Sequence, residues 1–121
     1  MLDISSETGG SSFSETADDD EILCAACKHV ITRARWRISR NGDHAHTVFN
    51  PAGVVFQILC FKEAPGSEAT GGASGEFTWF RGYNWRIAVC GGCGQHLGWR
   101  FEGPDVFFGL IKPKLDEGKK P

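Results

Sequence analysis

Hydrophobic and polar positions alternate along several short stretches of this chain, and nowhere do they hold a sustained helical period. Ala34, Trp36 and Ile38 alternate with Arg33, Arg35 and Arg37, which predicts a strand with one wet face. Residues 54–61 form a short apolar run of β-branched and aromatic side chains, predicting a strand buried on both faces. Trp85, Ile87 and Val89 alternate with Arg86 and Ala88, and Leu97, Trp99 and Phe101 alternate with His96, Gly98 and Arg100. Residues 106–111 supply a further strand. Asn41-Gly42 is a turn signal joining two strands. Residues 65–75, mostly Gly, Ser and Ala, read as a loop. The pattern predicts an all-β domain of short strands arranged in two sheets.

Charge narrows where that domain lies. Residues 1–21 hold seven acids and no Lys or Arg, so the other hundred residues carry all 13 basic side chains and eight acids. The acidic segment is also rich in Ser, Gly and Thr, and such a sequence cannot bury enough surface to offset its ordering entropy. It is expected to be a disordered acidic arm. It lacks the basic start and apolar run of a secretory signal, which favours a cytoplasmic setting. Residues 113–121 are expected to form a flexible tail, leaving a zinc-bound β domain over residues 22–112. A net charge of only -2 gives no case for a nucleic-acid binder, and no apolar stretch is long enough to span a membrane.

The five cysteines sort into two pairs and a remainder. Cys24-Ala-Ala-Cys27 and Cys90-Gly-Gly-Cys93 are both C-x-x-C. Together they supply the four soft thiolates that a tetrahedral structural zinc requires, each pair on a tight knuckle. A redox C-x-x-C and two disulfides are the competing readings. The first wants a strand-to-helix context that the pattern lacks, and the second an oxidising compartment that nothing signals. A single Zn2+ on Cys24, Cys27, Cys90 and Cys93 is therefore preferred; with four protein ligands it stabilises without offering an open position for chemistry. Cys60 ends the 54–61 run and reads as a buried structural thiol. His29 and His96 lie near the pairs but are not needed as ligands. His44 and His46 read as a solvated pair.

Seven of the fourteen aromatic residues fall between positions 77 and 101. Trp79 and Trp85 flank a turn at residues 80–84, and Trp99 and Phe101 share a strand face. An ordinary aromatic core is the plainer explanation. However, each indole N–H needs a partner, so three tryptophans are an awkward filling for a small core. They can instead wall a slot. Such a slot holds either a methylated ammonium by cation–π attraction or a neutral planar ring whose edge is read by backbone groups. Glu76 mildly favours a cation.

The order of landmarks is more specific than any one of them. Phe77-Thr78-Trp79-Phe80-Arg81-Gly82-Tyr83-Asn84-Trp85, then Cys90-x-x-Cys93, then His96-Leu97-Gly98-Trp99-Arg100-Phe101 resembles the cereblon thalidomide-binding (CULT) domain family; Cys24-x-x-Cys27 and Asn50-Pro51 match in order. The resemblance covers about residues 22–111, and the chain looks like a free-standing bacterial single-domain homologue. It implies a β-tent, two roughly orthogonal antiparallel sheets pinned by the structural zinc. It implies a cage of Trp79, Trp85 and Trp99 over Phe101, with Asn50 and Pro51 on the loop across its mouth. It further implies ligands that are cyclic imides: glutarimide and thalidomide-type rings, uracil-type rings, and cyclised C-terminal Gln or Asn of peptides. Main-chain groups of Phe77 and Trp79 would read the imide edge. The family pattern often has His at the position of Phe77 and Ser at that of Thr78.

Residues 89–98 also resemble the zinc-bearing half of methionine-sulfoxide reductase B. That enzyme needs a nucleophilic cysteine on a late strand, and none follows Cys93. No catalytic constellation is visible, so the expectation is a binding module and not an enzyme.

Overall fold

A computed structural model describes residues 20–117. They form nine strands in two antiparallel sheets, with two short 3-10 turns and no α-helix among the described residues. In chain order the strands are β1 (Glu21–Cys24), β2 (Val30–Arg33), β3 (Ala45–Phe49), β4 (Val55–Phe61), β5 (Ser67–Ser74), β6 (Asn84–Cys90), β7 (His96–Glu102), β8 (Val106–Ile111) and β9 (Leu115–Asp116). The small sheet has the order β9-β1-β2 and the large one β3-β4-β8-β7-β6-β5.

The large sheet separates two apolar clusters. On one side Leu59, Phe61, Leu97 and Leu110 pack with Ile22, Ile31 and Leu115 of the small sheet and with Cys24 and Cys90. On the other, Ile58, Cys60, Trp99, Phe101, Phe107 and Ile111 pack with Phe80. Alternation along β4 accounts for its share: Ile58 and Cys60 face one way, Leu59 and Phe61 the other.

Strand β7 does not follow simple alternation. Ala88 pairs with Gly98 but Val89 pairs with His96, so Leu97 is the extra residue of a β-bulge. The bulge reverses the facing of everything before it. Leu97 therefore points to the small sheet while Trp99 and Phe101 point away from it, contrary to the single apolar face expected from the sequence. Gly98 makes the bulge possible. A Cβ there would lie 2.1 Å from the Gly109 carbonyl oxygen and 2.9 Å from Leu110 Cα.

Three further expectations change. Residues 33–38 are not a strand: β2 stops at Arg33 and Ala34–Trp36 is a 3-10 turn. Asp20 causes this, since its carbonyl accepts from Ala34 N–H at 2.8 Å and its carboxylate takes Arg35 Nε at 2.8 Å. The Arg35 guanidinium holds the Asp20 carboxyl below its ordinary value. Residues 67–74 are the edge strand β5 and not a loop. Their small side chains carry no apolar signal, and the strand is fixed by pairing with β6, with a bulge at the positive-φ Gly71. Strand β4 is buried on both faces only from Ile58 onward, because Val54 and Val55 are exposed.

The described fold also passes the expected boundary at residue 112. Leu115 and Asp116 pair with Cys24 and Leu23, and Glu117 accepts from Arg37 at 2.7 Å. Of the acidic arm read at residues 1–21, all but Asp20 and Glu21 lie outside the described residues. The Asn41-Gly42 turn is present, with φ of 53° and 90°, and it closes an Arg40–Asp43 bridge before β3. His44 and His46 share a face but are half-buried, edge-on to Phe61 and Phe80, rather than solvated.

Candidate functional site

The four paired cysteines converge at the end of the hairpins β1–β2 and β6–β7. All four Sγ atoms lie within 4.8 Å of one another, with Cys24–Cys93 at 3.8 Å and Cys27–Cys90 at 3.6 Å. A tetrahedron with metal–sulfur bonds of about 2.3 Å has edges of about 3.8 Å, so the residues fit a four-thiolate metal ion without rearrangement.

The two knuckles share one backbone design. Cys24 N–H donates to His29 O and Cys90 N–H to Gln95 O, both at 2.8 Å. Lys28 N–H and Gly94 N–H return to the Cys24 and Cys90 carbonyls at 2.8 and 2.9 Å. Both residues have positive φ, 70° and 79°. Glycine adopts this freely, whereas Lys28 holds it at a cost; its Nζ is tied to Asp116 at 2.7 Å. Gly92 and Cys93 N–H groups and the Gln95 side-chain amide point at sulfur. Burial opposes ionisation of Cys24, yet the N–H groups of Cys27 and Ala26 and the neighbouring thiols bring it down to about 7. The His29 N–H favours a Cys27 thiolate, but burial and three neighbouring sulfurs push it up to about 12. A divalent cation is what lets such a set ionise together. Neither His29 nor His96 joins the group.

On the opposite side of the large sheet lies a cleft of about 510 Å3. Trp79, Trp85 and Trp99 line it together with Asn50, Pro51, Phe77, Glu76, Phe56, Ile87 and His96. Trp79 and Trp99 stand perpendicular, ring centres 4.8 Å apart, and Phe56 meets Trp99 edge-on at 5.2 Å. Two indole N–H groups are already satisfied: Trp79 Nε1 donates to Phe49 O at 3.0 Å and Trp85 Nε1 to Glu76 O at 2.8 Å. With those two polar edges spent on backbone, Trp79 and Trp85 offer a ligand their ring faces and not their donors.

The segment between the first two tryptophans is held by a turn. Tyr83 N–H donates to Phe80 O at 3.0 Å, and Gly82 has φ of 88°. Phe80 is buried against Phe101 and Phe107, anchoring the turn from below. Phe77 has φ of 56°, rare for a bulky residue, and its ring is 71% exposed. Such strain persists only where the surroundings enforce it, and it gathers at ligand clamps.

Two residues expected in the cage stand behind it. Phe101 is fully buried and supports Trp79, Phe80 and Phe107 without lining the cleft. Thr78 turns its hydroxyl to the Phe80 backbone. Three lining residues were not singled out for the cage. Phe56 shares the face of Ile58 and Cys60, a signal that alternation along β4 contains. Ile87 likewise shares the face of Trp85 in the alternation of β6, whereas His96 carries no such signal, because it reaches the cleft only through the Leu97 bulge. His96 Nε2 lies 3.0 Å from Gly98 O and the ring meets Trp99 edge-on at 5.0 Å. Burial lowers its pKa from the ordinary 6.5, against the opposing pull of the Gly98 carbonyl, and so favours the neutral ring.

The spare thiol, Cys60, has no exposed surface, and burial pushes it up to about 11. Among the described residues no helix is long and apolar enough to cross a membrane.

A β domain clamped by a four-cysteine metal site, with an aromatic-walled cleft across its main sheet, is a binding domain in construction. Comparison with known proteins gives it a family. The chain is 43% identical over 111 residues to protein cereblon of Drosophila erecta, covering 84% of this chain. It is 45% identical over 101 residues to that of Drosophila grimshawi, covering 78% of this chain, and 38% identical over 72 residues to that of Gallus gallus, covering 54%. The chain carries a cereblon-like (CULT) domain. It spans under a fifth of the length of these relatives, at 19%, 14% and 16%. No protein-family model matches it. These relatives are animal proteins, and they do not bear on a bacterial source.

Proposed function

We propose that this domain is a small-molecule binding module, not an enzyme, that holds cyclic imides in the cleft walled by Trp79, Trp85 and Trp99. The supporting observation is the arrangement of the indoles: the N–H groups of Trp79 and Trp85 are spent on the Phe49 and Glu76 carbonyls, and the three rings bound a slot. A neutral imide has a flat face to stack and an edge with one donor between two acceptors. Main-chain groups of Phe77 and Trp79 would pair with that edge without burying a charge. The class comprises glutarimide and thalidomide-type rings, uracil-type rings, and peptides ending in cyclised Gln or Asn. Asn50 and Pro51 would close the mouth, and Phe101 and Thr78 would brace the walls from behind. A ring of about eight heavy atoms at ~0.8–1 kcal/mol each places affinity near micromolar.

The metal in this reading is one structural Zn2+ held by Cys24, Cys27, Cys90 and Cys93, which would fasten the two hairpins and supply no reaction. A reducing, cytoplasmic setting keeps those thiols available. No nucleic acid and no membrane enter as partners. A reductase is disfavoured because the spare thiol is buried and its pKa is raised.

The second reading is a cage for methylated ammonium, favoured by Glu76 lining the cleft. Calorimetry with uracil, glutarimide and a trimethyl-lysine peptide separates the two. Binding of the imides, weakened at least thirtyfold by Trp85→Ala with the zinc-dependent circular dichroism unchanged, is the expected result. Heat with the lysine peptide alone would replace this reading with the second.

A further inference from the structure

We infer that Glu76 is a specificity-determining residue, which makes the cleft select intact neutral or cationic ring ligands and reject anionic ones, the hydrolysed open form of an imide included. The inference rests on the imide reading above and extends it to charge selection.

Among the described residues Glu76 is the only carboxylate lining the cleft, and the only other titratable group there is His96. Among them no hydrogen bond or ion pair engages the Glu76 carboxylate, although its backbone is fixed at both ends. Its N–H donates to Ser74 Oγ at 3.1 Å and its carbonyl accepts from Trp85 Nε1 at 2.8 Å. The residue's main chain is therefore fixed beside Trp85, at the lining of the cleft, and its own segment brings no neutralising charge: Phe77, its neighbour, is apolar, and Ser74 and Gly75 are uncharged. The nearest strand arginine by sequence pairing, Arg86, is spent on Glu102 at 3.0 Å and on Gly71 O at 2.7 Å. His96 offers no counter-charge, because its ring is tied to Gly98 O and held neutral by burial.

The chemistry of imides gives this charge a use. Hydrolysis adds water across one C–N bond of the ring and yields a primary amide and a carboxylate. The product keeps much of the size and polarity of the ring but is anionic. Planar shape alone discriminates weakly between a closed ring and a folded open chain. A like charge at the mouth adds a penalty that falls on the anion only, and desolvation against three indoles strengthens it. The same charge favours a ring whose substituent is an ammonium. The cleft thus takes the closed ring and leaves the hydrolysed form in solution.

A charge ladder on one ring tests this: uracil, orotate and 5-(aminomethyl)uracil, titrated into the metal-loaded domain and into Glu76→Gln. Wild type should bind orotate about tenfold or more weaker than uracil and the amine about threefold or more tighter. Raising salt to 1 M should compress the spread, since Glu76 is exposed. In Glu76→Gln the ladder, read as affinities relative to uracil in the same protein, should collapse to within about twofold. Uracil binding with the same ladder in both proteins overturns the role of Glu76 and leaves the imide reading standing. Absence of uracil binding to wild type overturns both.

Discussion

The two faces of the large sheet are built by opposite rules. On the metal side four sulfurs are brought within 4.8 Å of one another, and the Gly92 and Cys93 N–H groups and the Gln95 amide turn inward to them. On the cage side the Trp79 and Trp85 donors turn outward to carbonyls at the rim, and the space between the rings stays open. One side is closed and contributes stability; the other is held apart and available. The same strands serve both, since β6 ends in Cys90 and carries Trp85, and β7 carries Leu97 to one side and Trp99 to the other. A small domain can keep a cleft of about 510 Å3 open only if something else supplies the stability that a filled core would have given.

The strongest test of this division removes the metal side. Chelation, or Cys90→Ser, should abolish cooperative unfolding or lower its midpoint by at least 15 °C, with one metal per chain lost by elemental analysis. A domain that melts normally without metal would place its stability elsewhere. Next comes the hinge between the faces. Gly98→Ala sets a Cβ against the Gly109 carbonyl and should cost about 3 kcal/mol in urea unfolding, disturbing both clusters together.

A smaller effect concerns His96. Burial depresses its pKa in the fold, so the unfolded chain binds the proton more readily. The histidine's contribution to stability is complete above the unfolded value near 6.5 and declines as pH falls through it. Its imidazole resonance should titrate with a midpoint below 6.5 in the metal-loaded protein; a midpoint at or above that value would mean that the ring is solvated. The smallest effect belongs to Cys60. With its thiol raised to about 11, it should resist iodoacetamide at pH 8 in the native state, and rapid alkylation would contradict its place in the core.

The two faces also differ in how far the sequence revealed them. The metal side was legible almost completely, because C-x-x-C spacing carries its own geometry and four thiols have few other uses in such a chain. The walls Trp79, Trp85 and Trp99 were legible from their density and from the turn between them. The rest of the cleft was not. His96 enters through a bulge, and a period-two reading assumes that no residue is extra. Strand β5 is made of residues such as Ala69, Gly72 and Ala73, whose side chains announce nothing; only its partner β6 determines it. Arg33 to Ile38 alternate as a strand would, but Asp20 captures the backbone at Ala34 and turns it. In each case strand pairing or a contact from elsewhere in the chain decided what the local pattern did not.

The bulge at Leu97 lets one strand furnish both sides of the sheet. His96 and Trp99 pair with Val89 and Ile87 and line the cleft, while Leu97, the residue inserted between them, is left over for the cluster against the small sheet. Removing Leu97 would restore unbroken alternation with those pairings intact, so the imidazole and the indole would keep the cleft. A chain one residue shorter at this point would keep its cage and give up a leucine of the core between the sheets.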